Sequence, residues 1–379
     1  MNIIVTGMIV SVPRQGGAAW AVLQYLLGLR RLGHHVTFIE PFVQNSRRPP
    51  RARLEDTVNA HEFHSILGQF GFLQDSSLLE VETLRSIGIP YTQLKVRARD
   101  ADLLLNISGL LRLPELVQPV PLRVYVDLDP VFTQLWQASG EADMGFDLHN
   151  RFVTVGLNLG RRDCPIPTCD KEWITTLQPM VLEHWPQAPL EDVTLQAWTT
   201  IANWRSYGSI EWQGVHFGQK AHSWREFIDL PGRSLDAFAA ALSIHPAESR
   251  DLRSLIEHGW KLLDPDEVTA TPDDYRDFIR ASRGELGIAK SGYVQANSGW
   301  FSDRSICYLA SGRPVITQDT GLTGHLPLGD GLLAFSTMEE LLQALDQVNR
   351  FYPRHAQAAR ALAESHFNSD KVLPRLLDL

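Results

Sequence analysis

The chain has 379 residues, of which 44% are hydrophobic and 21% are charged, a composition typical of globular proteins rather than of disordered or membrane-embedded chains. This length predicts two domains of ordinary size. With 35 basic and 44 acidic residues the formal net charge is −9, which opposes broad attraction to nucleic acid or to an anionic membrane. We therefore expect no nucleic-acid partner and no stable membrane insertion.

Cysteine usage points to a compartment. Cys164, Cys169 and Cys307 have no paired metal-ligand spacing and suggest no disulfide framework, which favours a reducing, cytoplasmic location. Residues 1–10 are apolar but lack the basic segment and the small-residue cleavage site of a secretory signal. We expect a first buried strand there instead.

The first half of the chain alternates between strand-like and helix-like patterns. Its predicted strands lie at residues 2–6, 35–40, 102–106, 123–127 and 152–156, and its clearest helices at 20–32 and 57–70. A loop at 11–17 precedes the first helix, and Gly33 ends that helix. Strand, helix and strand in this order predict a parallel, doubly wound sheet.

The second half restarts the same alternation after residues 183–192, a stretch rich in proline and acidic residues that we predict to be the interdomain linker. Its strands are predicted at 193–201, 285–289, 314–317 and 332–335, with a hairpin across 210–217 that turns at Gln213-Gly214. Its helices are predicted from Ser223 onward and at 246–258, 303–311, 338–349, 353–364 and 371–377. The predicted domains are 1–185 and 193–362, with 363–379 packing back on the first.

Residues 298–321 form the most informative segment. A loop carrying Trp300 leads to a helix start at Ser302 and Asp303, Gly312 ends that helix, and an apolar strand follows. Helix N–H groups and a positive dipole end beside a cleft suit an anionic group such as a nucleotide phosphate. The segment therefore predicts a ligand site.

The tandem α/β domains, the Gly16-Gly17 loop before LQYLLGLRRLGHHV, and the segment SDRSICYLASGRPVITQDTG together resemble the GT-B glycosyltransferases, and among them the "group 1" nucleotide-sugar-dependent family. The resemblance covers nearly the whole chain and implies two Rossmann-like domains separated by a cleft. It implies a hexosyltransferase-like enzyme that transfers a sugar from a nucleoside diphosphate sugar to a hydroxyl-bearing small molecule or glycan. It implies neither a cofactor nor a bound metal.

The resemblance assigns residues to the donor's diphosphate. Gly16 and Gly17 match the loop that approaches the phosphates or the acceptor, where glycine permits close backbone approach; a flexible turn is the alternative. Arg205 and Lys220 resemble in position the Arg and Lys that neutralise the leaving diphosphate in the transition state. Two surface cations in weak ion pairs are the alternative reading.

Further donor-binding residues follow from the same resemblance: Trp260, Lys261, Ser291, Gly299, Ser302, Asp303 and Arg304. Trp260 ends a helix near the segment that holds the nucleotide base in the family, so its ring is a candidate for stacking. An aromatic side chain at a helix end is more often part of the core.

The sequence departs from the family at Gly299 and Cys307, which stand where group 1 enzymes carry two glutamates. Neither side chain can accept a hydrogen bond as a carboxylate does. Asp303 is the candidate replacement, with Ser302 capping the helix and Arg304 near the phosphates. The alternative is that Ser302 and Asp303 only cap the helix.

An inverting reaction needs a base on the first-domain side of the cleft. Asp127 and Asp129 in VYVDLDP are candidates, because they lie at the carboxyl end of a predicted strand, where ligand sites of open α/β sheets occur. Asp147 and His149 in FDLHNRF are the competing candidates. The Asp-x-Asp spacing also suggests a metal, but strand-end carboxylates often serve as caps, and we predict no metal site.

Two other functions fit the same architecture. A sugar-nucleotide epimerase or a phosphorylase would bind a similar anion without transferring a sugar to an added alcohol. A non-catalytic nucleotide-sugar-binding protein would account for the missing pair of glutamates.

Overall fold

Short apolar runs form the sheet of the first domain in the computed structural model, which describes residues 1–379. The strands are β1 (Asn2–Thr6), β2 (His35–Phe42), β3 (Ser76–Glu80), β4 (Ser86–Gly88), β5 (Leu103–Ile107), β6 (Leu122–Asp127), β7 (Arg151–Thr154) and β8 (Trp173–Thr175). The helices are α1 (Gly16–Arg31), α2 (Val58–Gln69), α3 (Tyr91–Asp100), α4 (Pro114–Val117) and α5 (Phe132–Ser139). The strand order is β4-β3-β2-β1-β5-β6-β7-β8, and only β4 is antiparallel to its neighbour.

The second domain has a smaller, wholly parallel sheet. Its strands are β9 (Leu195–Asn203), β12 (Ala237–Ser243), β13 (Lys261–Leu263), β14 (Ser282–Gly287), β15 (Val315–Gln318) and β16 (Leu332–Phe335), in the order β13-β12-β9-β14-β15-β16. A separate antiparallel hairpin joins β10 (Ile210–Trp212) to β11 (Val215–Phe217). The order reverses between β9 and β14, and open α/β sheets bind ligands outside such a switch point.

Helices cover this second sheet and close the chain. They are α6 (Lys220–Glu226), α7 (Leu230–Arg233), α8 (Ser249–Glu257), α9 (Pro265–Val268), α10 (Pro272–Ala281), α11 (Ser291–Gln295), α12 (Asp303–Ala310), α13 (Met338–Arg350), α14 (Tyr352–Leu362) and α15 (Ser369–Leu377), with a π-helical turn at Ala363–Phe367. None of the helices is both long and apolar enough to cross a membrane.

Helix α1 belongs to the first domain but packs against the second. Trp20, Leu23 and Leu27 recur at helical spacing and are buried. The Trp20 indole N–H donates to the Pro272 carbonyl oxygen at 2.7 Å, at the start of α10. The helix therefore joins the two domains beside the cleft that separates their sheets.

The end of the chain returns to the first domain. The Ser369 N–H donates to the Met180 carbonyl oxygen at 2.9 Å, and α15 packs on α1. Gly28 permits this approach, because a Cβ there would lie 2.4 Å from Leu373 Cδ1. Residues 363–379 therefore cover the first domain.

Several elements differ from the sequence-based prediction. Helix α1 begins at Gly16 rather than at residue 20, so Gly16 and Gly17 lie in its first turn and not in a loop. Strand β12, AFAAALS, has no predicted counterpart, because alanine favours helices whereas burial between β9 and β13 decides the structure here. The hairpin turn is confirmed, with positive φ at Gln213 and Gly214 (51° and 79°).

Candidate functional site

A cleft of about 320 Å³ lies between the two domains. Residues 14–18, which follow β1 and start α1, line it from the first domain. From the second domain the carboxyl ends of β9 and β12, the loop after β14 and the start of α12 contribute residues 201–203, 243, 290 and 302–304. The cleft thus lies over the switch point of the second sheet, where the fold itself favours a ligand.

The first turn of α1 presents backbone donors to this cleft. The Gly16 N–H donates to the Thr269 carbonyl oxygen at 3.0 Å and the Ala19 N–H to the Gln15 carbonyl oxygen at 3.1 Å, whereas the N–H groups of Gly17 and Ala18 have no acceptor in the protein. Free N–H groups at the start of a helix, together with its dipole, attract anions. Their position suits a phosphate oxygen.

Glycine at these positions also serves interdomain packing. A Cβ on Gly16 would lie 2.1 Å from the Thr271 carbonyl oxygen, and one on Gly17 would lie 2.7 Å from the Tyr275 ring. Both contacts are with the second domain. The glycine pair therefore allows the segment before α10 to approach the start of α1, whatever it does toward a ligand.

Lys220 places its side-chain amino group in the cleft. Its side chain is buried at the start of α6, and its ammonium donates to the carbonyl oxygen of Ile288. Burial lowers the pKa of Lys220 well below its ordinary value of 10.5, and the nearby Arg304 guanidinium lowers it further. An anion bound beside it would restore the charged form.

The start of α12 carries an N-cap, Ser302, a carboxyl group, Asp303, and a guanidinium, Arg304, that is already paired with another residue. The Ser302 hydroxyl accepts from the Arg304 N–H at 3.2 Å, as an N-cap does. Arg304 Nε donates to Glu285 Oε1 at 2.5 Å, and another guanidinium nitrogen donates to the Ile201 carbonyl oxygen at 2.8 Å. Burial raises the pKa of Asp303 above its ordinary range.

Lys290 is a cleft residue that the sequence analysis missed. It lies three residues beyond the end of β14, and its ammonium lies 3.1 Å and 3.2 Å from the two carboxylate oxygens of Asp129, in the loop after β6 of the first domain. The hydroxyls of Tyr207 and Tyr293 also hydrogen-bond Asp129. The sequence offered one indication that Lys290 lies in the site, its position at the carboxyl end of the strand predicted at 285–289.

Asp127, predicted to be the base, does not line the cleft. It is fully buried, and its carboxylate accepts from the Thr133, Gln134 and Thr154 side chains, each at 2.8 Å. Burial raises its pKa to about 6, an effect that these hydrogen bonds partly offset. Both carboxylate oxygens of Asp127 accept hydrogen bonds from the first domain, and these bonds hold the loop after β6 in place.

His149, the alternative base, is also internal. One ring nitrogen lies 2.9 Å from the Asn106 amide nitrogen and the other 2.8 Å from the Gly145 carbonyl oxygen. Burial lowers the pKa of His149 to about 4. Its neighbour Asp147 is exposed and pairs with Lys171 at 3.5 Å. The structure brings neither His149 nor Asp147 to the cleft.

The two cations predicted to bind the diphosphate, Arg205 and Lys220, lie in different places. Arg205 lies on the surface, outside the cleft lining, where its Nε donates to Glu248 Oε1 at 2.6 Å. The hairpin β10–β11 stands between Arg205 and Lys220 in the chain. Only Lys220 of this pair lines the cleft, whereas Arg205 matches the surface ion pair that was its alternative reading.

The remaining predicted donor residues lie outside the cleft lining. Trp260 is core, since its indole packs against Trp224 and donates to the Ile228 carbonyl oxygen at 2.8 Å. Lys261 is exposed at the start of β13, and Ser291 begins α11. Gly299 has a φ of +69° and packs against residues 157 and 158 of the first domain.

Both residues that replace the missing glutamates, Gly299 and Cys307, are packed against other parts of the protein. Cys307 is buried inside α12, and burial raises the pKa of its thiol. No group of three or more His, Cys, Asp or Glu side chains in the chain is arranged to hold a metal ion. Metal independence stays a prediction.

Solved structures share the fold of two α/β domains over nearly the whole chain. An α-glucosyltransferase in complex with UDP and a 13-mer DNA aligns with 99% of this chain and 98% of its own, at a TM-score of 0.60 and 11% identity. This chain has the GT-B fold. Anabaena Alr3699/HepE, solved with UDP and glucose, aligns with 100% of this GT-B chain and 99% of its own, at a TM-score of 0.58 and 11% identity.

A third solved structure, a glycosyltransferase from Rickettsia africae ESF-5, aligns with 99% of this chain and 97% of its own, at a TM-score of 0.52 and 13% identity. At the level of sequence, residues 233–378 match a family described as glycosyl transferase-like. No curated protein matches the sequence significantly. The predicted resemblance to GT-B glycosyltransferases and the predicted α/β class are confirmed.

Proposed function

We propose that the protein transfers a sugar from a nucleoside diphosphate sugar to a hydroxyl-bearing acceptor. The observation that carries this proposal is the interdomain cleft, which places the Lys220 ammonium and the free N–H groups of Gly17 and Ala18 around one hollow. A cation and a helix start on opposite sides suit a diphosphate between them. The glycosyl transferase-like family match and the UDP complexes of the similar structures support the same choice.

The chemistry assigns a task to each side of the cleft. When the bond between the anomeric carbon and the diphosphate oxygen breaks, the electron pair goes to the diphosphate, and fixed positive charge stabilises it most where water is excluded. The acceptor oxygen bonds to the anomeric carbon and gives up its proton to a base. The acceptor enters from the first domain, beside Gly17.

A melting experiment with nucleotide sugars tests the proposal. UDP-, GDP-, TDP- and ADP-linked sugars are added in turn, UDP-glucose first because the similar structures hold UDP and glucose. A donor at about a hundredfold its Kd should stabilise the fold by roughly 2.7 kcal/mol, and Lys220→Met should lose that stabilisation. The proposal fails if none of the donors raises the melting temperature.

The finer features belong to the same proposal: hexosyl transfer to a small molecule or glycan, no cofactor, no metal and a cytoplasmic location. The unpaired thiols of Cys164, Cys169 and Cys307 support a reducing compartment. Transfer that continues unchanged in EDTA would support metal independence. Loss of transfer in EDTA, restored by Mg²⁺ or Mn²⁺, would contradict it.

A non-catalytic nucleotide-sugar-binding protein is the second candidate. It is favoured by Gly299, in the loop before α12, and by Cys307, within α12, because these residues stand in place of the glutamate pair of group 1 enzymes. Binding of a donor without either transfer to alcohols or hydrolysis would support this candidate. Transfer that Asp303→Asn abolishes while donor affinity persists would support the enzyme, with Asp303 as its cleft carboxylate.

A further inference from the structure

Three side chains of the second domain donate hydrogen bonds to one carboxylate, that of Asp129. Tyr207 and Tyr293 direct their hydroxyls at Asp129, and the Lys290 ammonium lies within 3.2 Å of both its oxygens. The ammonium also lies over the Tyr207 ring, 4.2 Å from its centroid. We call these three donors, Lys290, Tyr207 and Tyr293, the anion cage.

The anion cage belongs to the second domain, whereas its carboxylate belongs to the first. Lys290 and Asp129 have side-chain exposures of only 14% and 28%, so water screens their attraction weakly. Burial lowers the pKa of Lys290, and the Asp129 charge acts in the opposite direction. An anion beside such a buried amine stabilises its charged form.

Arg14 also lines the cleft and pairs across it with Asp266 at 4.0 Å, but both of these side chains are more than half exposed. The remaining cations near the cleft have their partners within the second domain. Arg304 is fixed by the buried Glu285, and the Lys220 ammonium donates to Ile288. Arg205 pairs with Glu248 outside the cleft. The counter-ion of Lys290 instead comes from the opposite domain, so a relative movement of the domains, or a stronger anion, can replace it.

We propose that the anion cage is a binding site for the diphosphate of the donor, and that Asp129 competes with the diphosphate for Lys290. The proposal rests on the proposed function and adds Lys290 as a cation that contacts the leaving group. Two phenol hydroxyls and an ammonium can donate to phosphate oxygens as they do to a carboxylate. Asp129 then lowers the affinity for the donor, because its carboxylate occupies the position that the diphosphate would take.

Variants of the two charged residues make opposite predictions. Inorganic pyrophosphate and UDP are titrated calorimetrically into the full chain. Lys290→Met should weaken both ligands at least tenfold, and Lys290→Arg should retain part of the affinity. Asp129→Asn should tighten both ligands severalfold, because the competing charge is gone. In Asp129→Asn combined with Lys290→Met, affinity should equal that of Lys290→Met alone.

The sign of the Asp129→Asn effect decides the matter. If the ion pair only fastens the two domains, both single variants should weaken pyrophosphate, and the proposal is overturned. Lys171→Met and Asp147→Asn provide matched controls, since this pair lies 3.5 Å apart outside the cleft lining, and neither should change affinity. If Lys290→Met does not fold, Asp129→Asn still gives a tighter or a weaker ligand.

The outcome also separates this proposal from the general one. If the unchanged protein binds UDP and Lys290→Met binds it equally well, the anion cage is not a phosphate site, while nucleotide-sugar binding stands. If the unchanged protein binds neither pyrophosphate nor any nucleoside diphosphate, both proposals are overturned.

Discussion

Two aspartates separated by one residue illustrate how placement decides a residue's role. Asp127 ends β6 and is enclosed, whereas Asp129 is partly exposed and reaches across to Lys290. Sequence alone favoured Asp127 because strand ends carry catalytic carboxylates in this architecture. Strand alternation would place two residues at this spacing on the same face, but β6 ends at Asp127, and the loop that follows directs Asp129 toward the other domain.

Replacing Asp127 with alanine should damage the fold rather than the chemistry. The change leaves the side-chain donors of Thr133, Gln134 and Thr154 without their acceptor, and each unmatched buried group costs about 1–3 kcal/mol. Urea unfolding should show a loss of at least that size. Asp147→Ala, at an exposed carboxylate, is the control; equal losses in the two variants would contradict this assignment.

Lys220 should couple nucleotide binding to proton uptake. Its pKa is lowered by burial, and a bound diphosphate raises that pKa, so binding favours the protonated form. UDP affinity should therefore fall as pH rises above the lowered pKa of Lys220. Calorimetry in buffers of different ionisation enthalpy measures the uptake, and Lys220→Met should reduce it. Proton release on binding would be the contrary result.

At the scale of elements, the start of α1 carries two functions in one turn. Gly16 and Gly17 let the second domain approach, and the free N–H groups beside them face the cleft. The same residues therefore set both the separation of the domains and the position of the donors. A packing change here should disturb both.

Gly16→Ala tests that connection. Its Cβ would lie 2.1 Å from the Thr271 carbonyl oxygen, so the backbone must shift, at a cost of about 1–3 kcal/mol. Both the free energy of unfolding and UDP affinity should fall. Gly68→Ala in α2 is the matched control, because its Cβ would meet nothing within 4 Å and alanine favours helices. Equal behaviour of the two variants would show that the contact is unimportant.

Local patterns predicted most elements of the fold but not the contacts between them. Strand β1 and the turn at Gln213-Gly214 follow from apolar runs and turn chemistry, which act over a few residues. Strand β12 could not be predicted because its alanines favour a helix until neighbouring strands bury them. The pairing of Asp129 with Lys290 spans 161 positions, and no local pattern encodes such a contact.

At the scale of the whole molecule, two sheets meet a common cleft. The second sheet reverses its order between β9 and β14, and Lys290 lies in the loop after β14. Contacts such as the Asn158 N–H to the Ser298 carbonyl oxygen, at 3.1 Å, join the domains beside it. The side chains of Trp20, Gln178 and Asn297 also donate across the domain boundary, and one hydrophobic cluster includes residues of both domains, so an extensive interface joins the two domains beside the cleft.

The most direct measurement is a crystal structure of the protein with UDP. We expect density for the diphosphate between the two domains, within hydrogen-bonding distance of Lys220 and of the N–H groups of Gly17 and Ala18. UDP bound outside this cleft, or a cleft that stays empty in crystals grown at saturating UDP, would contradict this expectation.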